Sequence, residues 1–334
     1  MTVKVTGSLH EVQRIITGMY SFDYAFENDR GDIGFPIGTV VEIYGPSGIG
    51  KTTTVLSLAG ILANTKQQDI GFIDLEGFDP RTMTVILESV GFDGEIHCIA
   101  EMDDETALEK LTTLVQNKKQ NFGVGILDSI GAISPIEEAS NKLGAANMGR
   151  RGRLLAQFSR RMVKTIRDNP KYPVYIMINH QYPILGGRGF APPGGDAKKY
   201  LSWVQIQLKR TKMFPDGSYV LEGKIKKNRY GYEQRLFYWF VLAGKGIHIG
   251  LTAVWDGVVY GLVDKEKTIK IGNTSYGYLK NLVQKAQEGN NEFFEPFIDL
   301  FEGKKIEVKA NGSEDIEPER INDPEYEESG ENTD

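Results

Sequence analysis

The chain has 334 residues, 40% hydrophobic and 10% aromatic, which suffices for one large domain plus a small one. No apolar run reaches the roughly 18 residues needed to span a bilayer; residues 1–6 lack the apolar core of a signal peptide, and one cysteine, Cys98, excludes an intrachain disulfide and suits a reducing cytoplasm. The net charge of −6 hides an asymmetry: residues 313–334 hold ten acids against one base, so the rest nets about +3, which fits a body that binds a polyanion and a tail that competes for it, or a tail that only solubilises.

In chain order, the first informative run is residues 40–44, an apolar strand pattern. It leads into Gly45-Pro46-Ser47-Gly48-Ile49-Gly50-Lys51-Thr52, the phosphate-loop pattern G-x-x-x-x-G-K-[ST], with Thr53 next and a helix over 52–64. Glycines there let backbone N–H groups wrap a phosphate at a helix N-terminus. Lys51 supplies a charge to the outer phosphates, and the Thr52 hydroxyl suits magnesium. A strand over 70–74 runs into Glu76, placed to orient or deprotonate a water near the γ-phosphate, or simply a surface turn acid. Asp79 edges the nucleobase pocket in this reading.

Further alternation follows: helix 81–90, strand 96–100, helix 105–117 capped at Asp103 or Asp104, and strand 124–128. That last strand ends in Asp128, where a parallel sheet carries a magnesium-ordering acid, or else a turn or cap residue. A long loop, 135–149, precedes a helix over 151–167. Arg153, Arg160, Lys164 and Arg167 share one side of it, Arg150 and Arg161 flank them, and Leu154, Leu155, Phe158, Met162 and Ile166 lie opposite. A one-sign stripe is the footprint of a phosphate backbone, although a solvated face is the bland alternative. Strand 174–179 meets a second long loop, 181–195, then strands 204–208, 219–227 and 236–242, the last two read as antiparallel additions. Residues two apart in a strand share a face, so Lys227 and Arg229 project together, away from Lys224 and Lys226; they either reach a neighbour's phosphate or form a solvated basic edge. Residues 255–301 suggest a smaller unit with a turn-rich stretch over 265–277 and helices over 278–287 and 293–301; the composition from 304 on predicts disorder.

Gly45–Thr53, Phe72–Glu76, Leu127-Asp128-Ser129, Asn147-Met148-Gly149, Ile178-Asn179 and Gly194-Gly195-Asp196-Ala197, in that order, resemble the RecA-type strand-exchange recombinases, and Asn179-His180 is closer to the phage UvsX branch, since bacterial RecA carries Gln at the position of His180. The resemblance covers about residues 38–250. It implies an α/β fold: a RecA-like P-loop ATPase core whose mainly parallel central sheet is extended by antiparallel strands, a small C-terminal α/β domain and an acidic disordered tail. The corresponding divisions are a subunit-interface segment at 1–32 (apolar candidates Ile15, Ile16, Met19, Tyr20 and Phe22), a core at 33–250, a C-terminal domain at 251–303 and a tail at 304–334.

The same resemblance implies ATP and Mg2+ as ligands and filaments on single-stranded DNA that pair with duplex DNA. Single-stranded-DNA-binding and loader proteins extend the partners, and the location is the cytoplasm, or a host cell's if the gene is phage-borne. Residue by residue, Lys51 and Thr52 hold phosphate and metal, Asp128 supports the metal, Glu76 activates water, and His180 senses the γ-phosphate. Lys227 and Arg229 act in trans on the neighbour's ATP, with Arg229 replacing the bacterial Lys as a stronger phosphate ligand. The two long loops become DNA loops: Met148 and Ile184 or Leu185 wedge between bases, Gly194 and Gly195 belong to the DNA-binding set, and, since the chain lacks an arginine directly after His180, Arg188 substitutes for it or Tyr182 stacks on a base. Two other readings share the phosphate loop: a ring-forming hexameric helicase or motor, and a non-catalytic recombination mediator.

Overall fold

The computed structural model describes residues 12–99, 103–117, 119, 121–133, 150–183, 190–191, 202–265 and 268–302. From the N-terminus, β1 (Arg14–Ile15) pairs antiparallel with β2 (Phe35–Pro36) around the short α1 (Tyr20–Ala25). Then β3 (Val40–Gly45), α2 (Lys51–Thr65), β4 (Asp69–Asp74), α3 (Pro80–Ser89), β5 (Ile96–Ile99), α4 (Asp104–Gln116), β6 (Phe122–Asp128), α5 (Arg150–Asp168) and β7 (Val174–His180) alternate. A small pair, β8 (Tyr182–Pro183) with β9 (Phe190–Ala191), precedes β10 (Val204–Met213), β11 (Tyr219–Asn228), β12 (Leu236–Leu242) and β13 (Gly246–Ile247).

One nine-stranded sheet takes the order β13-β12-β11-β10-β3-β7-β6-β4-β5. From β10 to β5 every pairing is parallel, and β11, β12 and β13 extend it antiparallel. The apolar runs of β3, β6 and β7 follow from burial on both faces, because crossover helices cover a parallel sheet on both sides. On one face lie α2 and α3; α2 is apolar nearly all round because most of its residues are buried. On the other lie α4 and α5, with Leu155, Phe158, Met162 and Ile166 of α5 buried and Arg153, Arg160, Arg161 and Arg167 outward, as their helical spacing predicts. Each such side chain contributes roughly 1.5–3 kcal/mol of burial. Asp103, not Asp104, caps α4 by accepting from the Thr106 N–H at 2.8 Å.

The outer face of β11 and β12 carries the C-terminal unit: α6 (Ile249–Val259), the small sheet β14 (Asp264–Lys265), β15 (Ile269–Ile271) and β16 (Thr274–Gly277), α7 (Leu279–Gln287), a 3-10 turn at Glu292–Phe294 and α8 (Glu295–Asp299). The strands divide their side chains by alternation: Phe237, Trp239 and Val241 enter the core beneath α2, whereas Phe240 and Leu242 enter the core of the C-terminal unit. Residues 250 and 251 both lie inside α6. The turn-rich stretch thus contains a three-stranded sheet, and the helix expected over 293–301 shortens to a 3-10 turn and α8, with a proline in the first turn of α8.

The N-terminal segment departs from expectation. Met19 and Phe22 are fully buried in the chain's own core; Phe22 packs on Phe26, Phe35, Phe237 and Trp239 with ring centroids 4.8–5.5 Å apart. Tyr20 stacks on Phe301 at 4.3 Å. Apolar area already buried at home cannot also dock on a second subunit, so of the five apolar candidates only Ile16 is exposed.

Candidate functional site

Four parallel strands end side by side. Register sets Gly45 of β3 opposite His180 of β7, and Asp74 of β4 opposite Asp128 of β6, with β6 and β7 adjacent. The residues that follow these ends share one edge, where open α/β sheets bind ligands.

From β3 the chain arches through Pro46, Ser47 and Gly48, all exposed, into α2. Gly50, the residue before α2, has φ +92° and offers no side-chain cap, so the first-turn N–H groups have no capping partner and suit an anion. Lys51 folds back beneath the arch: Nζ donates to the carbonyls of Gly45 at 3.2 Å and Pro46 at 2.7 Å. Burial pulls its pKa down, against the charges of Asp128 and Glu76. Thr53 sits in the first turn of α2.

Thr52 Oγ1 donates to Asp128 Oδ2 at 2.5 Å. Asp128 is buried, which raises its pKa to about 6, moderated by the Thr52 hydrogen bond and reinforced by the charges of Glu76 and Asp74. Its Oδ1 is buried without a hydrogen-bond partner. A hydroxyl against a carboxylate with one orphaned oxygen fits a hard divalent cation such as magnesium.

Glu76 is the hub of a polar network. Ser129 Oγ donates to its Oε1, and His180 Nε2 lies 2.8 Å from the same oxygen. His180 Nδ1 lies 3.3 Å from Lys51 Nζ. Because an ammonium can only donate, Nδ1 must accept, which puts the ring proton on Nε2, facing Glu76. Burial pushes the Glu76 pKa up, but the hydrogen bonds from Ser129 and His180, with the charge of Lys51, leave it below its ordinary value. It is therefore an ionised carboxylate at neutral pH, as a base must be.

Several contributors escaped sequence reasoning. Asp74 clasps the turn that carries Glu76: Oδ1 accepts from the N–H groups of Glu76 (3.0 Å) and Gly77 (2.8 Å), Oδ2 from that of Phe78 (2.6 Å). Glu42, buried in β3, accepts from Asn179 Nδ2 at 2.8 Å and Gln205 Nε2 at 2.9 Å, tying together the strands on either side. Both carboxylates sit in apolar strand patterns, and only Asp74's place two residues before Glu76 hinted at a role. Asp79 is committed as the N-cap of α3, its Oδ2 accepting from the N–H and hydroxyl of Thr82, which holds its pKa down.

Lys227 and Arg229 are not part of this edge. The Arg229 N–H donates to the Trp203 carbonyl at 3.1 Å, Lys227 Nζ to that of Ser202 at 2.6 Å, and the Arg229 guanidinium lies 5.8 Å from the Trp203 ring. Burial and the Arg229 charge lower the Lys227 pKa, so the two cations are neighbours. A register shift leaves Lys226 unpaired between Lys227 and Ile225, an irregularity that strict two-residue alternation does not anticipate. Gly45 packs against Leu208 of β10, five residues beyond Trp203, so the cations lie roughly 16 Å further down the sheet than the arch, at about 3.3 Å per residue.

On α5, Arg153, Arg160, Arg161, Lys164 and Arg167 are exposed; Arg161 pairs with Glu109 at 3.5 Å and Arg167 lies 5.9 Å from the Trp203 ring. Arg150 and Tyr182 fall in α5 and β8. Met148, Ile184, Arg188, Gly194, Gly195 and the acidic tail lie outside the described residues. Among the described residues no helix is long and apolar enough to cross a membrane.

Residues 2–235 match the RecA N-terminal domain family. Protein RecA of Marinobacter nauticus is 28% identical over 308 residues, spanning 90% of this chain and 83% of that protein. Among solved structures, the RadB recombinase is similar at 20% identity, with a TM-score of 0.49 over 64% of this chain and 92% of that one.

Proposed function

Since the chain belongs to the RecA family, we propose that it is an ATP-dependent recombinase that assembles on single-stranded DNA as a helical filament and promotes homologous pairing and strand exchange in the cytoplasm. The observation that carries this reading is the separation of the two cationic groups. Lys51 sits at the loaded edge of the sheet, while Lys227 and Arg229 sit near its opposite edge, too far to reach a phosphate on their own chain's arch. A head-to-tail stack of subunits brings one chain's lower edge onto the next chain's upper edge and closes the site.

In this mechanism Lys51 leaves the carbonyls of Gly45 and Pro46 for the outer phosphates, and the α2 N-terminus takes the inner ones. Thr52 and Asp128 would hold magnesium, which when bound neutralises charge on the phosphate oxygens. Glu76 accepts a proton from the attacking water, oriented by Ser129 and His180. His180 touches both Lys51 and Glu76 and stands where the second loop begins. It therefore reports the γ-phosphate to that loop, and it is the feature shared with the UvsX branch. The exposed face of α5 and the loops at 135–149 and 181–195 take the DNA, and 251–303 serves as an accessory domain.

Electron microscopy with single-stranded DNA and a non-hydrolysable ATP analogue tests the assembly. Open helical filaments are expected; closed rings would indicate a motor and monomers a mediator. Lys51→Ala is expected to abolish ATP hydrolysis, and unchanged hydrolysis would overturn the phosphate-loop assignment.

A further inference from the structure

We propose that Arg210 and Tyr219 form a clamp that presets the phosphate loop for a nucleoside di- or triphosphate, which makes Arg210 a positioning residue of the nucleotide site; the proposal rests on reading residues 45–52 as that site. Arg210 stands on β10, 162 residues from the arch, yet its Nη2 donates to the Gly48 carbonyl at 2.6 Å. Its guanidinium lies 4.4 Å from the ring centroid of Tyr219, the first residue of β11. The Tyr219 hydroxyl in turn packs directly on Gly50: a Cβ built there would lie 1.9 Å from it. One residue thus grips the arch from outside, and the other fills the space where Gly50 lacks a side chain.

Lys51 holds the Gly45 and Pro46 carbonyls and the Ile49 side chain is buried, but the crown of the arch between them has little else to hold it. Pro46, Ser47 and Gly48 are exposed, and a Cβ built on Gly48 would meet nothing within 4 Å, so packing does not fix that residue. Gly48 and Gly50 both take positive φ, the freedom that lets the arch form and also lets it wander. A trans peptide points its C=O and the next N–H in opposite directions. Holding the Gly48 carbonyl against Arg210 therefore turns the Ile49 N–H away from β10 and fixes the direction of that donor before a phosphate arrives. The clamp is also costly in itself, because Arg210 Nε is buried without a partner. Preorganised donors bind more tightly because less order is lost on binding.

The test measures the affinity of the full-length protein for a fluorescent ADP analogue with magnesium, and the KM and kcat for ATP. Arg210→Met keeps bulk over Tyr219 but removes the donor; a roughly tenfold rise in Kd is expected, and a rise in KM that outweighs any fall in kcat. Arg210→Gln keeps a planar donor without the charge and is expected to recover at least half of the lost affinity on a logarithmic scale. Equal losses in the two variants would mean that charge alone acts, and would overturn the clamp. If Arg210→Met lowers the nucleotide-free melting temperature, Tyr219→Phe decides, because it removes the hydroxyl that packs on Gly50: weaker binding at an unchanged melting temperature supports the clamp, and wild-type affinity overturns it. Lys51→Ala separates the two levels of the reading. If it binds nucleotide like wild type, the site itself is misassigned; if it loses binding while Arg210→Met does not, only the clamp fails.

Discussion

Replacing Asp74 by asparagine probes how Glu76 is placed without touching Glu76. Both carboxylate oxygens of Asp74 are used, Oδ1 by the N–H groups of Glu76 and Gly77, and Oδ2 by that of Phe78. An asparagine oxygen can keep the first pair, but its NH2 then faces the Phe78 N–H, and two donors oppose each other. A hydrogen bond to a charged acceptor is worth roughly 1.5–3 kcal/mol. Water reaches this half-exposed turn, so the low end, about 1.5 kcal/mol, is the better figure. If that energy holds the turn in its working position, the competent fraction, and with it kcat, falls about tenfold. None of the Asp74 hydrogen bonds reaches the arch, so nucleotide affinity is expected to stay within about twofold. Steady-state ATP hydrolysis on saturating single-stranded DNA, beside titration with a fluorescent nucleotide, separates the two effects. A kcat indistinguishable from wild type, or an affinity loss as large as the kcat loss, would refute the idea that Asp74 works by holding Glu76.

Phe22→Ala removes a ring enclosed by four aromatic neighbours and is expected to cost roughly 3–5 kcal/mol in urea unfolding; a loss below about 1 kcal/mol would remove α1 from the cooperative core. Asp256, buried in α6 with Oδ2 accepting from the Ser21 N–H at 2.9 Å and Asp23 nearby, has its pKa raised by burial from 3.8 to about 7. Between those values the folded state keeps a proton that the unfolded state releases, so this group's contribution to stability is lost as pH rises through about 7. Asp256→Asn should therefore gain melting temperature relative to wild type from pH 5 to pH 8, and a constant difference would contradict the buried-carboxyl assignment. Arg160→Ala, on the exposed side of α5, is expected to weaken single-stranded DNA binding and lower its salt slope by about 1; an unchanged slope would leave this stripe as a solvated face.

What could be read in the sequence depended on how far apart the partners lie. Gly45–Thr52 is contiguous, and flanking periodicity placed it between a strand and a helix. The place of Asp128 and Glu76 on the loop-bearing edge of the sheet was legible because each closes or follows an apolar strand, whereas the turn-clasping job of Asp74 at the end of β4 was not. The buried side of α5 followed from spacing alone. Arg210, Tyr219 and Glu42 were not legible, since each acts through a residue more than a hundred positions away, and nothing local distinguishes them from ordinary strand residues. The inward packing of Phe22 was not legible because two of its four aromatic partners, Phe237 and Trp239, lie over two hundred residues downstream. The irregular pairing at Lys226 was hidden for a related reason: alternation describes one strand, whereas a bulge belongs to a pair.

Mixing two defective proteins tests most directly whether the nucleotide site is shared between subunits. Lys51→Ala carries a damaged arch and intact cations; Arg229→Ala carries the reverse, and each alone is expected to hydrolyse ATP poorly on single-stranded DNA. In a one-to-one mixture, random head-to-tail assembly places both intact halves at roughly a quarter of the interfaces. The shared-site account predicts that hydrolysis rises to about that fraction of the wild-type rate. A mixture no more active than the average of its two components would contradict it.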